Sequence, residues 1–383
     1  MLETGHWRLE TSAMQAVILV GGEGTRLRPL TCERPKPMVP IANVPFLEHM
    51  LCWMRGYGVD AAVLALCYLP GRIRDHFGEG TELGIRLGYA VEETPLGTAG
   101  AVKNSLPHPE EPFLVFNGDV LTDWDLGAML EFHRERGAQA TIALTPVDNP
   151  TLYGVVETDG KGRVHRFVEK PSWDAVTSNH INAGIYILEP EVLDLVPANR
   201  FYMFEHGLFP ELLRLGRPVF GYPSAAYWID IGTPEKYLEV HRDLLKGKIT
   251  VPMPGSQVAP RVWQGDGCEI DTAARITGPA VLGQGCRVAA GARLLGPVVL
   301  GDGCVVGPDS VVEDAVLWEG TIVGHGATLR GCIVGDHAEI GDGVMALQGV
   351  VIGDHAVVGP QNRLEKGLRL WSRRRLEAGA ISF

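Results

Sequence analysis

The feature that most restricts the fold of this chain is a six-residue beat in its C-terminal third. Ile270, Ile276, Leu282, Val288, Leu294, Leu300, Val306 and Val312 stand six apart without a break. After Val312 the phase slips by four. It resumes as Val316, Ile322, Thr328, Val334, Ile340, Ala346, Ile352, Val358, Leu364, Leu370 and Leu376, nineteen hexapeptides in all. A period of six is the repeat of a parallel β-helix. Each hexapeptide supplies a short strand and a turn, and three make a triangular coil. The nineteen therefore predict about six coils, stacked on a column of aliphatic side chains that makes this half largely self-supporting.

Glycine usage supports the division. The chain has 48 glycines in 383 residues, and 20 of them fall in residues 265–360, where Trp318 is the one aromatic residue. Glycine often follows the repeat aliphatic, as in Leu282-Gly283 and Ile352-Gly353. Cys268, Cys286, Cys304 and Cys332 each precede a repeat aliphatic by two, where Ala274, Ala280, Ala292 and Ser310 also occur. That is a slot for small inward side chains, and cysteine suits it as a small hydrophobe. His325, His337 and His355 fall in turns and read as solvated.

Charge and cysteine narrow the function. Lys+Arg 34 against Asp+Glu 46 gives −12, the wrong sign for a general nucleic-acid binder. The seven cysteines are odd in number and lack a CxxC pair, which argues against a disulfide framework and against a zinc site. No apolar run reaches a spanning length of ~18 residues, so no membrane partner is expected. Residues 1–13 carry Glu3, His6, Arg8 and Glu10 and read as an N-terminal extension rather than a signal peptide. A reducing, cytoplasmic setting is expected. The segment 246–262, with its prolines, reads as a linker between a domain at 14–245 and the β-helix at 263–383.

The domain at 14–245 alternates short apolar runs with helix-like stretches. The runs are Gln15–Val20, Ala61–Cys67, Phe113–Phe116, Thr141–Leu144 and Ile185–Leu188; Pro45–Tyr57 and Leu126–Arg136 read as helices. This pattern predicts an α/β domain with a Rossmann-like, mixed but mostly parallel sheet, and ligands then bind at the carboxyl ends of the strands. The loop after the first run is Gly21-Gly22-Glu23-Gly24-Thr25-Arg26-Leu27. Its glycines let backbone N–H groups approach a ligand, and Arg26 offers a planar fork for phosphate oxygens. It is neither a Walker A loop nor the dinucleotide fingerprint, since no Gly-Lys-Ser/Thr follows and Leu27 stands where the third glycine belongs. Ten residues on, Pro35 and Pro37 clamp Lys36, restricting its backbone and pre-aiming a cation suited to a polyphosphate.

The two segments AVILVGGEGTRLRPLT and RPKPMVP resemble the signature of the sugar-nucleotide pyrophosphorylases, the NTP:sugar-1-phosphate nucleotidyltransferases. Further blocks match in the same order: Pro95–Gly100, Asn117-Gly118-Asp119, Tyr153–Val156, Val168–Pro171, Asn182-Ala183-Gly184 and Trp228–Pro234. The resemblance covers residues 14–245. It implies Mg²⁺ held by Asp119 and Asp230, and catalysis by Arg26 and Lys36. It puts nucleotide at Gly21, Gly22, Gly24, Thr25, Gly97 and Thr98, and sugar phosphate at Gly154, Glu169, Lys170 and Asn182. The C-terminal repeat resembles the left-handed hexapeptide β-helix. Lys36-Pro37, the Gly97-Thr98-Ala99-Gly100 block and this tail are most similar to the mannose-1-phosphate guanylyltransferases, which implies GTP and mannose 1-phosphate. Cys67-Tyr68 departs from the Asn-Tyr of many relatives, so another NTP, hexose phosphate or cyclitol phosphate stands as the alternative. Two further alternatives are a non-catalytic regulatory homologue and a bifunctional enzyme with acyl transfer in the β-helix. Exposed coil faces suggest a homo-oligomer.

Overall fold

A computed structural model describes residues 14–365 and 367–381; the extension 1–13 lies outside the described residues. Strand Met14–Leu19 is central. Its Ala-Val-Ile run is buried, as expected of a strand covered on both faces. It pairs in parallel with Val59–Leu66 on one side and Phe113–Asn117 on the other, and Arg86–Val91 extends the parallel part. Beyond Phe113–Asn117 the sheet turns antiparallel through His180–Leu188. That strand carries Ala140–Pro146 and Gly154–Thr158, which bring in Val219–Pro223 and Val164–Glu169. The helices Phe46–Gly56 and Leu126–Glu135 form where the pattern placed them. The parallel strands end on one edge, so the loops at Gly21, Cys67, Glu92 and Gly118 meet there.

A second, two-stranded ribbon crosses this edge. Trp228–Asp230 pairs antiparallel with Val120–Thr122, with Asp230 opposite Val120, and the Ile231 N–H donates to the Asp119 carbonyl at 3.0 Å. Thr233 caps the helix Pro234–Lys246, its hydroxyl accepting from the Lys236 N–H.

The C-terminal third is the expected left-handed parallel β-helix, its short strands stacked in parallel register. Cys286, Cys304 and Cys332 fill the inward slot with Ala292 and Ser310, and burial pushes the Cys304 and Cys332 thiols up to about 12. The repeat phase needs correction. Val316, Ile322 and Thr328 are not the inward residues. The register pairs Leu300 with Leu317, Val306 with Val323 and Val312 with Leu329, and these three belong to the inner column. The chain makes two five-residue steps, 312 to 317 and 329 to 334, instead of one slip of four. Residues 256–259, inside the segment read as linker, pair with Val262–Gln264, which joins the first coil.

One face of the β-helix is apolar on its outside as well. Val281, Val299, Val316, Ile333 and Val351 each precede an inward aliphatic by one. They pack with Trp318 into the core of the α/β domain. Trp318 Nε1 donates to the Tyr237 hydroxyl at 2.8 Å, and Arg242 grips Asp314 through two bonds of 2.6 and 2.8 Å.

Polar groups line the edge of this interface. Asp354 is buried, its Oδ1 accepting the Asp336 N–H at 3.0 Å. Burial, then the Asp336 carboxylate and more weakly Glu33, push its carboxyl from 3.8 to about 6, against the opposing pull of Arg34. A carboxyl raised by folding destabilises the native state when ionised. The cost is absent below pH 4, grows between 4 and 6, and is complete above 6. Asp354→Asn keeps the acceptor and removes the charge. At pH 7.5 it should stabilise the chain by about 3 kcal/mol, with the gain vanishing at pH 4; urea denaturation at both pH values measures this.

Candidate active site

The site is built where the Gly-rich loop, the clamped lysine and the two-stranded ribbon converge. Gly24 takes the left-handed conformation (φ 64°) and starts the turn Thr25–Leu27. A side chain there would press on Lys36 and Thr31. Thr31 closes the loop, its hydroxyl donating to the Gly24 carbonyl at 2.8 Å. Pro35 and Pro37 hold Lys36 in a second short turn. Lys36 is buried, and its Nζ donates to Asp119 Oδ2 at 2.7 Å.

A cavity of about 340 Å³ opens beside this pair. It is lined by Gly21, Gly22, Lys36, Gly97, Thr98 and Asp119, with Cys67, Glu92, Asn117 and Phe201 among the others. Gly97 begins the helix Gly97–Ser105 with φ 72°, and a β-carbon there would lie 2.7 Å from the Tyr202 carbonyl. The backbone must therefore be bare at the helix N-terminus, where N–H groups favour an anion or an acceptor edge. The Thr98 hydroxyl is engaged. It accepts from the Phe204 N–H at 2.8 Å and faces Glu205 at 3.2 Å.

The second half of the site surrounds Asp230. Tyr153 donates its hydroxyl to Asp230 Oδ1 at 3.1 Å. Burial, then Asp230 itself, push this phenol far above its usual range, so it stays a donor. Trp228 packs edge-on against Tyr153 and anchors to the Ala183 carbonyl. A β-carbon on Gly232 would meet Arg26 Nη2 at 2.8 Å and Asp230 Oδ2 at 3.1 Å. The Arg26 guanidinium and the Asp230 carboxylate thus both lie over the bare backbone of Gly232. Arg26 and Asp119 both act on Tyr153, which ties the two halves together.

The remaining expected residues sit on the antiparallel side. The Glu169 carboxylate lies over Gly154, 2.7 Å from where a β-carbon would stand. Lys170 is exposed, 3.5 Å from Glu169, and adopts φ 45°. Its N–H bonds the Tyr153 carbonyl. Asn182 is partly committed to its own strand, donating to the Tyr186 hydroxyl and accepting from Gly184. Thr25 is exposed in the loop turn and does not line the cavity.

Among the described residues there is no group of three or more His, Cys, Asp or Glu side chains able to hold a metal. Asp119 and Asp230, brought together by the ribbon, are a two-carboxylate set. That set fits Mg²⁺, which commonly takes one or two carboxylates and fills its shell with water and substrate phosphates.

Two residues were given no role by the sequence: Tyr153, which opens the matching block Tyr153–Val156, and Glu92, which lies outside every block. Glu92 follows the strand Arg86–Val91, at the sheet edge where ligands bind, and that position was its available signal. One carboxyl oxygen accepts the Leu96 N–H at 2.9 Å. The other is buried with no hydrogen-bond partner. Burial raises this carboxyl above its usual range.

Comparison with known proteins matches the nucleotidyl transferase family over residues 15–247 and the LbH domain of the EIF2B epsilon subunit over residues 259–364. A mannose-1-phosphate guanylyltransferase of Mycobacterium tuberculosis is 38% identical over 84% of this chain and 84% of its own. A UTP–glucose-1-phosphate uridylyltransferase of Synechocystis is 36% identical, covering 82% of this chain and 86% of its own. Among solved structures, HddC of Yersinia pseudotuberculosis complexed with GMP-PN is 31% identical with a TM-score of 0.52, over 59% of this chain and 97% of that one. With the Gly-rich loop, the clamped lysine and the paired aspartates in place, the chain belongs to the nucleotidyl transferase family.

Proposed function

We propose that this sugar-1-phosphate nucleotidyltransferase joins GTP to mannose 1-phosphate, releasing pyrophosphate. An oxygen of the sugar phosphate forms a bond to the α-phosphorus. The bond from that phosphorus to the bridging oxygen breaks, and its electron pair leaves with pyrophosphate. No covalent enzyme intermediate is needed. Catalysis is positioning and charge neutralisation. Arg26 and Lys36 meet the nucleotide phosphates, and Lys170 beside Glu169 meets the sugar phosphate. Asp119 and Asp230 would hold Mg²⁺, which supplies positive charge to the reacting phosphate oxygens. Tyr153 keeps Asp230 oriented by donating to it.

The observation that supports guanine is the unpartnered oxygen of Glu92, a residue lining the cavity beside Gly97 and Thr98. Guanine presents adjacent N–H donors on its Watson–Crick edge, which a carboxylate accepts. Uracil presents one N–H between two carbonyl oxygens, which a carboxylate repels. The names of the M. tuberculosis relative and of the GMP-PN complex agree with this choice; that of the Synechocystis relative does not.

Glu92→Gln tests it. The variant is expected to lose about 10- to 100-fold in kcat/KM for GTP, one charged hydrogen bond's worth, and to narrow the gap to UTP. Steady-state pyrophosphate release with each NTP reads this. An unchanged GTP-to-UTP ratio would remove Glu92 as the guanine reader.

A further inference from the structure

Several contacts of the β-helix fall on one short stretch of the catalytic domain, residues 26–34. Arg369 Nη1 donates to the Arg26 carbonyl at 3.0 Å and to the Arg28 carbonyl at 2.9 Å. Arg373 grips the Glu33 carboxylate through bonds of 2.6 and 2.8 Å, and this contact holds Glu33 below its usual range. Arg34 pairs with Asp336 and lies 4.7 Å over the Trp318 ring. The turn at Gly353 sits so close that a β-carbon there would be 3.0 Å from Pro29 Cβ.

This stretch joins the two cations of the nucleotide site, Arg26 and Lys36. Its backbone is held by successive short turns, Leu27 to Gly24, Arg28 to Thr25, Leu30 to Leu27 and Cys32 to Pro29, and by the buried Leu27 and Leu30, without strand pairing. The residue three beyond Arg26 is Pro29, which has no N–H to offer the Arg26 carbonyl. Arg369 supplies the missing donor from the other domain, and a guanidinium can serve two acceptors at once.

We propose that the last coils of the β-helix are a working part of the transfer site. Arg369 is a positioning residue: it fixes the Arg26–Arg28 backbone and so holds the Arg26 guanidinium in place over Gly232. This rests on the reading of Arg26 as a phosphate ligand.

The test uses the full chain with GTP, mannose 1-phosphate and Mg²⁺. Arg369→Ala should lower kcat about tenfold and raise KM for GTP several-fold, as a misaimed group does, with KM for mannose 1-phosphate unchanged. Without substrates, amide hydrogen exchange across residues 22–32 should accelerate about tenfold. Arg369→Lys, which keeps a donor, should recover part of both. Arg242→Ala cuts a domain contact outside this stretch and should leave both readings at the wild-type level. A folded Arg369→Ala with wild-type kinetics and exchange would overturn the inference. So would equal losses in Arg242→Ala, because general domain docking would then be the cause. If Arg26→Ala is fully active, the underlying reading of Arg26 fails; if it is inactive while Arg369→Ala is normal, only the positioning role fails.

Discussion

Asp119→Ala is expected to lower kcat for pyrophosphate release by about a thousandfold, the scale of losing a principal charge-stabilising group. The carboxylate has two jobs in the cleft. It is one of the two oxygen ligands proposed for Mg²⁺, and it pairs with the buried Lys36 at 2.7 Å. Removing it leaves the metal with Asp230 and releases Lys36 from its aim. Asp119→Asn separates the two. The amide oxygen still accepts from Lys36, but it carries no charge for a cation. If the charge matters, Asn and Ala should be equally poor, and raising Mg²⁺ should rescue Asn only in part. If aiming Lys36 is the main task, Asn should recover most of the activity. Full activity in Asp119→Ala would remove the residue from the reaction. Circular dichroism melting separates loss of chemistry from loss of fold.

The second large effect is on stability and tests the corrected β-helix register. Leu329 is fully buried in the inner column, whereas Ile322 is 47% exposed. Leu329→Ala should cost about 2–5 kcal/mol, the usual range for emptying a core leucine site. Ile322→Ala should stay within about 0.5 kcal/mol. The uncorrected phase, with Ile322 inside, would make Ile322→Ala the costly one. Urea unfolding of both variants decides between the two registers.

That register shows how far the sequence could be read. The period of six names the β-helix, and the small-residue slot with its cysteines follows from spacing alone. The phase after Val312 does not. Val316-Leu317 and Ile333-Val334 are aliphatic pairs because one member faces the coil interior and the other faces the catalytic domain. Inside and outside are then chemically alike, and a search for aliphatics at a fixed step can follow the wrong one. Thr328, out of character in the first phase, was the visible sign, since Leu329 beside it carries the inward position.

The site divides in the same way. Gly24, Lys36, Asp119 and Asp230 belong to motifs dense enough to be recognised in order along the chain. Glu92 lies outside every motif, and Tyr153 opens one without a role of its own there; their meaning comes from position. One has an acceptor without a partner at the cavity wall, and the other is a buried phenol aimed at Asp230. The grip of Arg369 and Arg373 on residues 26–33 joins positions about 340 apart. Leu370 and Leu376 keep the six-residue step through this basic run, and only the fold shows what lies opposite.

The most direct test of the central claim is a matrix of the four NTPs and UTP's thymidine analogue against hexose 1-phosphates, read as Mg²⁺-dependent pyrophosphate release. The account predicts turnover that is highest for GTP with mannose 1-phosphate. A preference for UTP with glucose 1-phosphate would contradict the Glu92 argument, and no turnover with any pair would contradict the enzyme itself.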